Sequence, residues 1–537
     1  MLHMRKSWTA MILILVVSTV VAACSPQVVE TTVEVEKTVE VEKVVEKTVE
    51  VEKVVEVTPT PAGPQGTLMR ALSTFPNSLN LPECAERQAS TTAWQLYDSL
   101  VWLNDENDIE PALAESWEVS EDGTEYTFHL RQDVTFHNGE PFNADSVVYS
   151  WERAVENDWE YSDQWREAET VEKIDDYTVK MTTGEPNALF LNTVFDQFAM
   201  VPPGFDSENP VGTGPYKFVE WVKGDHITMV ANEDYWRGAP KIEKLIFRPI
   251  PESATRAAAI QTGEVDIVTR LTAEDTQNLV GAEDVKIIRY PKTRVYYVAF
   301  NNLTTGVGEP TEDARVRQAM NYAVDVDAIV DSVFSGFAKP AAGFVTSTEL
   351  GYGAVEPFGY DPERAQELLT EAGYPDGFSM DMACPSGTYA HFDEVCQAVA
   401  GYLGDVGIDV ELEFMESGHY WELEAEKELP PLFGDSWSAF GGEALRRLTG
   451  ALLGWDAAFS CWEDEKIIGM LDEIRATIDR QERKELYEEL QVYMQEDPPF
   501  IYLYEEVAFE AVRTRVQNYK PRSSEQYFLF DTYVLEE

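Results

Sequence analysis

Positive charge is scarce in this chain: 41 Lys and Arg stand against 97 Asp and Glu over 537 residues, a formal charge of −56. Such a field repels nucleic acid and anionic membranes, so a phosphate-binding role is disfavoured. The acid reads first as a solubilising surface, with a cationic ligand or a saline habitat as the alternatives. Histidine is scarcer. His3, His129, His137, His226, His391 and His419 are scattered, and none pairs at helical ligand spacing with another His or Cys. The G-x-S-x-G, H-E-x-x-H and Walker patterns are absent, so no enzyme activity, cofactor or metal is expected. The nearest approach to a calcium loop, Asp105-Glu106-Asn107-Asp108, lacks the central glycine and the closing glutamate and reads as a solvated turn.

Long apolar runs are missing as well. The one candidate, 11–21, is short for a membrane span. It follows Arg5 and Lys6 and runs into Val21-Ala22-Ala23-Cys24, the layout of an export signal over 1–23. Those small residues resemble a bacterial lipobox, which implies cleavage after Ala23 and lipid on Cys24; a soluble secretion signal is the alternative. Cysteine is limited to five. Apart from Cys24 there remain Cys84, Cys384, Cys396 and Cys461, and an exported chain meets oxidising conditions. Two disulfides are expected among three connectivities. Cys384–Cys396, closing a strand-to-helix connection for about 3 kcal/mol, and Cys84–Cys461 are favoured over buried thiols.

What is present falls into segments. Residues 24–66 are low in complexity, with KTVEVEKVVE at 37–46 repeated at 47–56 and a Thr-Pro-Thr-Pro end. Neither period 2 nor period 3.6 holds, so the segment reads as a tether, stiffened at its end by proline; the ten-residue period does not sustain the heptads of a coiled coil. The body begins near Thr67 with a strand over 68–72. Helical spacing follows at 93–100 (Ala93, Leu96, Tyr97, Leu100), then alternating strands around the turn at 120–123, and a helix capped by Asn143. At 212–215 a Gly-Thr-Gly-Pro turn, its glycines free to take positive φ, opens a hairpin over 216–222 and 227–230. A strand at 245–250 comes next, then a helix capped by Ser253 and stopped at Gly263, and a strand at 265–268. Further helices are expected from 314 to 329 and after the Asp361 cap, with Pro362 at the first helical position and Gly373 as the stop.

The wording of these segments is specific. The GTGPY turn, the N-x-x-Y-W-x-G-x-P loop (Asn232, Tyr235, Trp236, Gly238, Pro240) and AIQTGEVDI at 259–267 closely resemble extracytoplasmic solute-binding proteins of the peptide/nickel-type ABC transporters. The blocks at 111–153, 296–302, 313–329, 359–377 and 487–504 extend the resemblance over nearly all of 67–537. It implies an α/β, two-lobed periplasmic-binding-protein-like fold (type II) with a small domain inserted in lobe I. The first lobe would take 67–83, 209–300 and 500–537, the insert 84–208, and the second lobe 301–499. Two crossings near 300 and 499 would act as a hinge. The implied partners are a small solute, permease transmembrane subunits and, through the lipid, the outer face of the cell membrane. The chain would act as a monomer, and a sensing receptor on a signalling partner would use the same closure.

In the resemblance, ligand lies between the lobes. Thr74, Phe75 and Asn77 would face it from one side. Tyr297, Ser386, Gly387, Tyr389, Asp435, Trp437, Phe440 and Glu443 would face it from the other, with Trp437 matching a family tryptophan. The chain departs from the dipeptide binders at three places: Phe440 stands where an aspartate holds the ligand amine, Glu443-Ala444 where Asp-Pro follows, and Thr388 where many relatives carry arginine. Only Asp435 and Glu443 remain near for a cation. A longer peptide or an oligosaccharide is therefore expected ahead of a dipeptide.

Overall fold

A computed structural model describes residues 63–84, 87–439 and 441–535. The signal, Cys24, most of the tether and Phe440 lie outside the described residues. The first strand, Gln65–Leu72, starts inside the segment read as tether. It pairs in parallel with Ile242–Pro249, whose other edge continues antiparallel into His226–Ala231 and Tyr216–Val222. The hairpin is thus where period-2 alternation places it.

The Gly-Thr-Gly turn has a different cause from the one its composition suggests. Neither Gly212 nor Gly214 takes positive φ. A Cβ on Gly212 would lie 2.0 Å from the Leu96 carbonyl oxygen, and one on Gly214 would lie 2.5 Å from the Leu96 carbonyl carbon. The glycines allow two backbones to touch. That contact also explains why 93–100 is not a helix. The carbonyls of Gln95 and Leu96 accept from Tyr216 N (3.1 Å) and Gly214 N (3.0 Å), so they are used in tertiary bonds, and the helix is Arg87–Ala93 instead.

Elsewhere local chemistry sets the ends. Asn143 caps Ala144–Val155 through bonds from Asp145 N and Ser146 N, and Asp361 caps Pro362–Ala372 before Gly373. Ser253 is the first helical residue rather than the cap; its Oγ accepts from Thr272 N instead (3.2 Å). The helical run expected over 314–329 is two helices, Ala314–Ala323 and Val326–Phe334, because Asp325 caps the second by accepting from Ala328 N.

One eleven-stranded mixed sheet runs through the body. Its middle is a pair of long antiparallel strands, Val285–Phe300 and Phe500–Arg513. Val298, Phe300, Ile501 and Leu503 are at most 1% exposed, each contributing about 1.5–3 kcal/mol of burial. They belong to one core, with the helices Ala314–Ala323, Phe392–Asp405 and Arg480–Glu496. The opposite ends of the same two strands enter other cores, through Val512 and Ala511. A fourth core, with Phe128, Phe142, Trp165 and Phe198, fills a separate four-stranded antiparallel sheet between 114 and 182. The molecule is two-lobed and α/β, and the change of core falls within the long strands, before the ends where the sequence places the crossings.

Cys384 and Cys396 are disulfide-bonded, joining the strand Phe378–Ser386 to the helix Phe392–Asp405. The expected Cys84–Cys461 bridge does not form, because the two sit in different cores. Cys84 Sγ donates to the carbonyls of Ser78 and Asn80, and Cys461 Sγ to that of Glu424.

Candidate functional site

The ladder between the two long strands shifts register at two places, between Tyr296 and Tyr297 and, more widely, before Val295. Register shifts between Pro291 and Val295, where Pro291 has no N–H to donate. The extra residues form a bulge that turns side chains away from the regular pleat. Thr293 leaves the ladder altogether: its N–H reaches the Ser523 carbonyl (3.1 Å) and its carbonyl accepts from Ala439 N (3.1 Å). The cationic side chains of Lys292 and Arg294 flank it.

Past the bulge, Val285–Phe300 pairs with Leu432–Ser438, with Tyr297 opposite Asp435 and Arg294 opposite Ser438. Asp435 is buried. Its carboxylate accepts from the hydroxyls of Tyr297 (3.3 Å) and Tyr389 (3.1 Å). Burial pushes its pKa up to about 6, against the opposing pull of Ser436 N–H, Tyr389, Arg294 and Tyr297. Beside it, burial and then the Asp435 charge hold the Glu424 carboxyl well above the usual range. Tyr389 is half-buried, and its ring meets Tyr296, Phe392 and Trp421 edge-on.

Two cavities lie close to the strand Leu432–Ser438. The larger, about 990 Å³, has one wall from 160–196 and the other from Trp437, Leu445, Arg446, Thr449, Phe459 and Arg475. The smaller, about 350 Å³, is lined by Arg87, Tyr161, Arg270, residues 292–294, Ser438 and residues 523–525. They are neighbours: Trp437 of one precedes Ser438 of the other, and Arg87 from the smaller pairs with Asp196 from the larger at 3.0 Å. Around the rim the two sides already touch. Arg446 Nη2 meets Glu167 Oε1 at 2.7 Å, Asn192 Nδ2 donates to the Gly441 carbonyl at 2.5 Å, and Ala188 N donates to the Arg475 carbonyl at 2.8 Å.

Of the residues singled out from sequence, the structure brings Tyr297, Tyr389 and Asp435 into one hydrogen-bonded cluster and sets Trp437 in the wall of the larger cavity. Tyr297 is buried and supports Asp435. Ser386 Oγ donates to Asp393 (3.1 Å), and Gly387 is exposed beside it. Glu443 is committed to Arg483 through both oxygens, at 2.7 and 2.8 Å, which leaves neither for a ligand. Thr74, Phe75 and Asn77 line neither cavity; Phe75 packs edge-on against Trp221, and Asn77 Nδ2 donates to the Glu83 carbonyl. Sequence reasoning missed Arg294, Arg446 and the 160–196 wall. A signal existed for the first: Lys292 and Arg294 interrupt an otherwise aromatic and aliphatic strand just before YYVAF.

Comparison with known proteins identifies the family. The model of the bacterial extracellular solute-binding proteins, family 5 Middle, matches residues 108–454. The glutathione-binding protein GsiB of Pectobacterium atrosepticum is 32% identical over 452 residues, 80% of this chain and 87% of that protein. The heme-binding protein A of Haemophilus influenzae is 30% identical over 472 residues, 80% of this chain and 85% of that one. Among solved structures, HbpA2 from Haemophilus parasuis aligns with a TM-score of 0.81 at 26% identity, covering 88% of this chain and all of that one (100%). The periplasmic binding protein DppA from Helicobacter pylori, in complex with the peptide STSA, gives 0.70 at 26% identity over 88% and 98%. This chain belongs to the bacterial extracellular solute-binding proteins of family 5.

Proposed function

We propose that the chain captures a peptide-sized solute in the paired cavities, closes its lobes on it, and passes it to the membrane permease of an ABC importer. The observation that carries this reading is the larger cavity, whose two walls come from opposite sides of the bulged crossing. A solute filling it touches both walls, so its binding energy favours the closed state. Lobe closure about a few strand-end residues is a known device of periplasmic binding proteins. The hinge then lies at 291–295 against the facing stretch 504–507, with 67–83, 209–300 and 500–537 as the first lobe, 84–208 set into it, and 301–499 as the second. About 990 and 350 Å³ leave more room than a dipeptide needs. The charge on the walls favours a peptide over the neutral oligosaccharide that the aromatic residues alone would also suit. Two relatives point the same way, since one is named for glutathione and another was solved with the peptide STSA.

Native mass spectrometry of the purified chain tests the assignment. Retained species with peptide masses are the expected result; retained sugars, with no peptide bound on addition, would reject it. The same reading holds the chain at the outer face of the cell membrane through lipid on Cys24. Cys24→Ala should then move it from the membrane pellet to the supernatant, and an unchanged distribution would remove the anchor.

A further inference from the structure

The two cavities carry opposite charge. In the larger, six carboxylates (among them Glu160, Glu167 and Asp196) face three arginines. In the smaller, four cations, Arg87, Arg270, Lys292 and Arg294, face one lining carboxylate, Glu525. In a chain of net charge −56, with 41 basic residues in 537, four of them around about 350 Å³ calls for a reason.

Internal pairing does not supply all of it. Glu525 takes Arg270 at 3.0 Å and Lys292 at 3.3 Å. Burial would raise its carboxyl, but those two cations hold it down to about 2. Glu506 takes Lys292 at 3.0 Å, and Asp196 takes Arg87 at 3.0 Å. Among the described residues three carboxylates pair with these cations, and Arg87 and Arg270 have further partners besides. Arg294 is the least served: its short bond goes to a neutral hydroxyl, Ser436 Oγ at 2.7 Å, and its nearest carboxylate, Glu506, is 4.0 Å away. Its side chain keeps 28% of its surface, and Asp435 has its own tyrosine donors.

We infer that the smaller cavity is the subsite for a carboxylate of the solute, with Arg294 as its principal partner and Arg87, Arg270 and Lys292 completing the field. The inference rests on reading the paired cavities as the solute site and adds a polarity to it. The carboxylate end lies inward at the bulge, and the ammonium or other cationic end lies outward against the acidic wall. A guanidinium with free N–H groups suits a planar carboxylate in two-pronged geometry. Arg294 stands at the site that the bulge re-aims, its guanidinium 5.8 Å from the Tyr389 ring, so the anion is held from the strand Val285–Phe300 rather than from position 388, where many dipeptide binders carry arginine. Because Arg87 comes from the insert, Arg270 and Arg294 from the first lobe, and Ser438 from the second, one carboxylate there touches both sides.

The test uses the full chain and a tetrapeptide mixture in two forms, with free carboxyl termini and as C-terminal amides, compared by native mass spectrometry. Wild type should hold the acids at least about tenfold more tightly than the amides. Arg294→Gln should shrink that preference to about threefold or less, and Arg294→Lys should restore part of it. Equal retention of acids and amides by wild type, which needs no variant to fold, would overturn the subsite while leaving the peptide site standing. A preference undiminished in folded Arg294→Gln would also overturn it, since a merely structural arginine would change stability and not this ratio. Retention of neither form would overturn the peptide reading and the subsite together.

Discussion

Glu443 and Arg483 form a two-pronged ion pair, Oε2 to Nε at 2.8 Å and Oε1 to Nη2 at 2.7 Å, with side chains 5% and 6% exposed. The remaining Arg483 nitrogen donates to the carbonyls of Thr477 and Ile478, so the guanidinium is fully used in holding the turn before the last helix. Glu443→Gln leaves that buried charge without its counter-ion. The expected cost is about 3 kcal/mol of stability in denaturant unfolding, with solute affinity changed less than threefold. A large loss of affinity at unchanged stability would return Glu443 to the ligand.

The buried acid of the binding strand gives a pH dependence. Asp435, pushed up to about 6 chiefly by burial, holds a proton in the folded state between about pH 4 and 6 that the unfolded chain has released. The folded state binds more protons there, so this group's contribution to stability falls as pH rises through that window. His137 acts in the opposite sense. Burial depresses it to about 4, and stability is lost as pH falls from about 6.5 towards that value. Asp435→Asn removes the first slope and leaves the second. Compared with wild type, the variant should lose more stability between pH 7 and pH 5, by on the order of 1 kcal/mol. Identical pH profiles for the two proteins would contradict the protonation assigned to Asp435.

Trp437 owes its place to a glycine on the helix Leu445–Leu452. A Cβ on Gly450 would come within 2.6 Å of Trp437 Cη2. Alanine favours a helix by about 1 kcal/mol over glycine, but overpacking against a rigid ring costs about 1–3 kcal/mol. Gly450→Ala should therefore be neutral to mildly destabilising, shift the Trp437 emission, and weaken solute binding about tenfold by moving the cavity wall. Unchanged emission and affinity would show that the ring is not part of the wall.

Much of the fold was legible because its determinants are local. The hairpin of 216–231, the Asn143 and Asp361 caps and the Gly373 stop all lie in short stretches whose chemistry acts within a few residues. The failures share a cause. Residues 93–100 have helical spacing, yet the Gln95 and Leu96 carbonyls bond to a turn more than a hundred residues away. Cys84 and Cys461 are matched by elimination, but core membership separates them. The site divides in the same way. Trp437 and Tyr389 could be found through motif position, whereas Arg294 becomes a site residue only because the ladder breaks at Pro291, and the 160–196 wall only because the core of the four-stranded sheet docks there.

Closure of two lobes on a solute is the central claim, and small-angle scattering addresses it most directly. The full chain is measured alone and at saturation with an acid tetrapeptide whose binding is established by calorimetry. A smaller radius of gyration in the bound state is predicted, through rotation about 291–295 and 504–507. The same radius at proven saturation would contradict the hinge and leave a binding protein that takes its solute without closing.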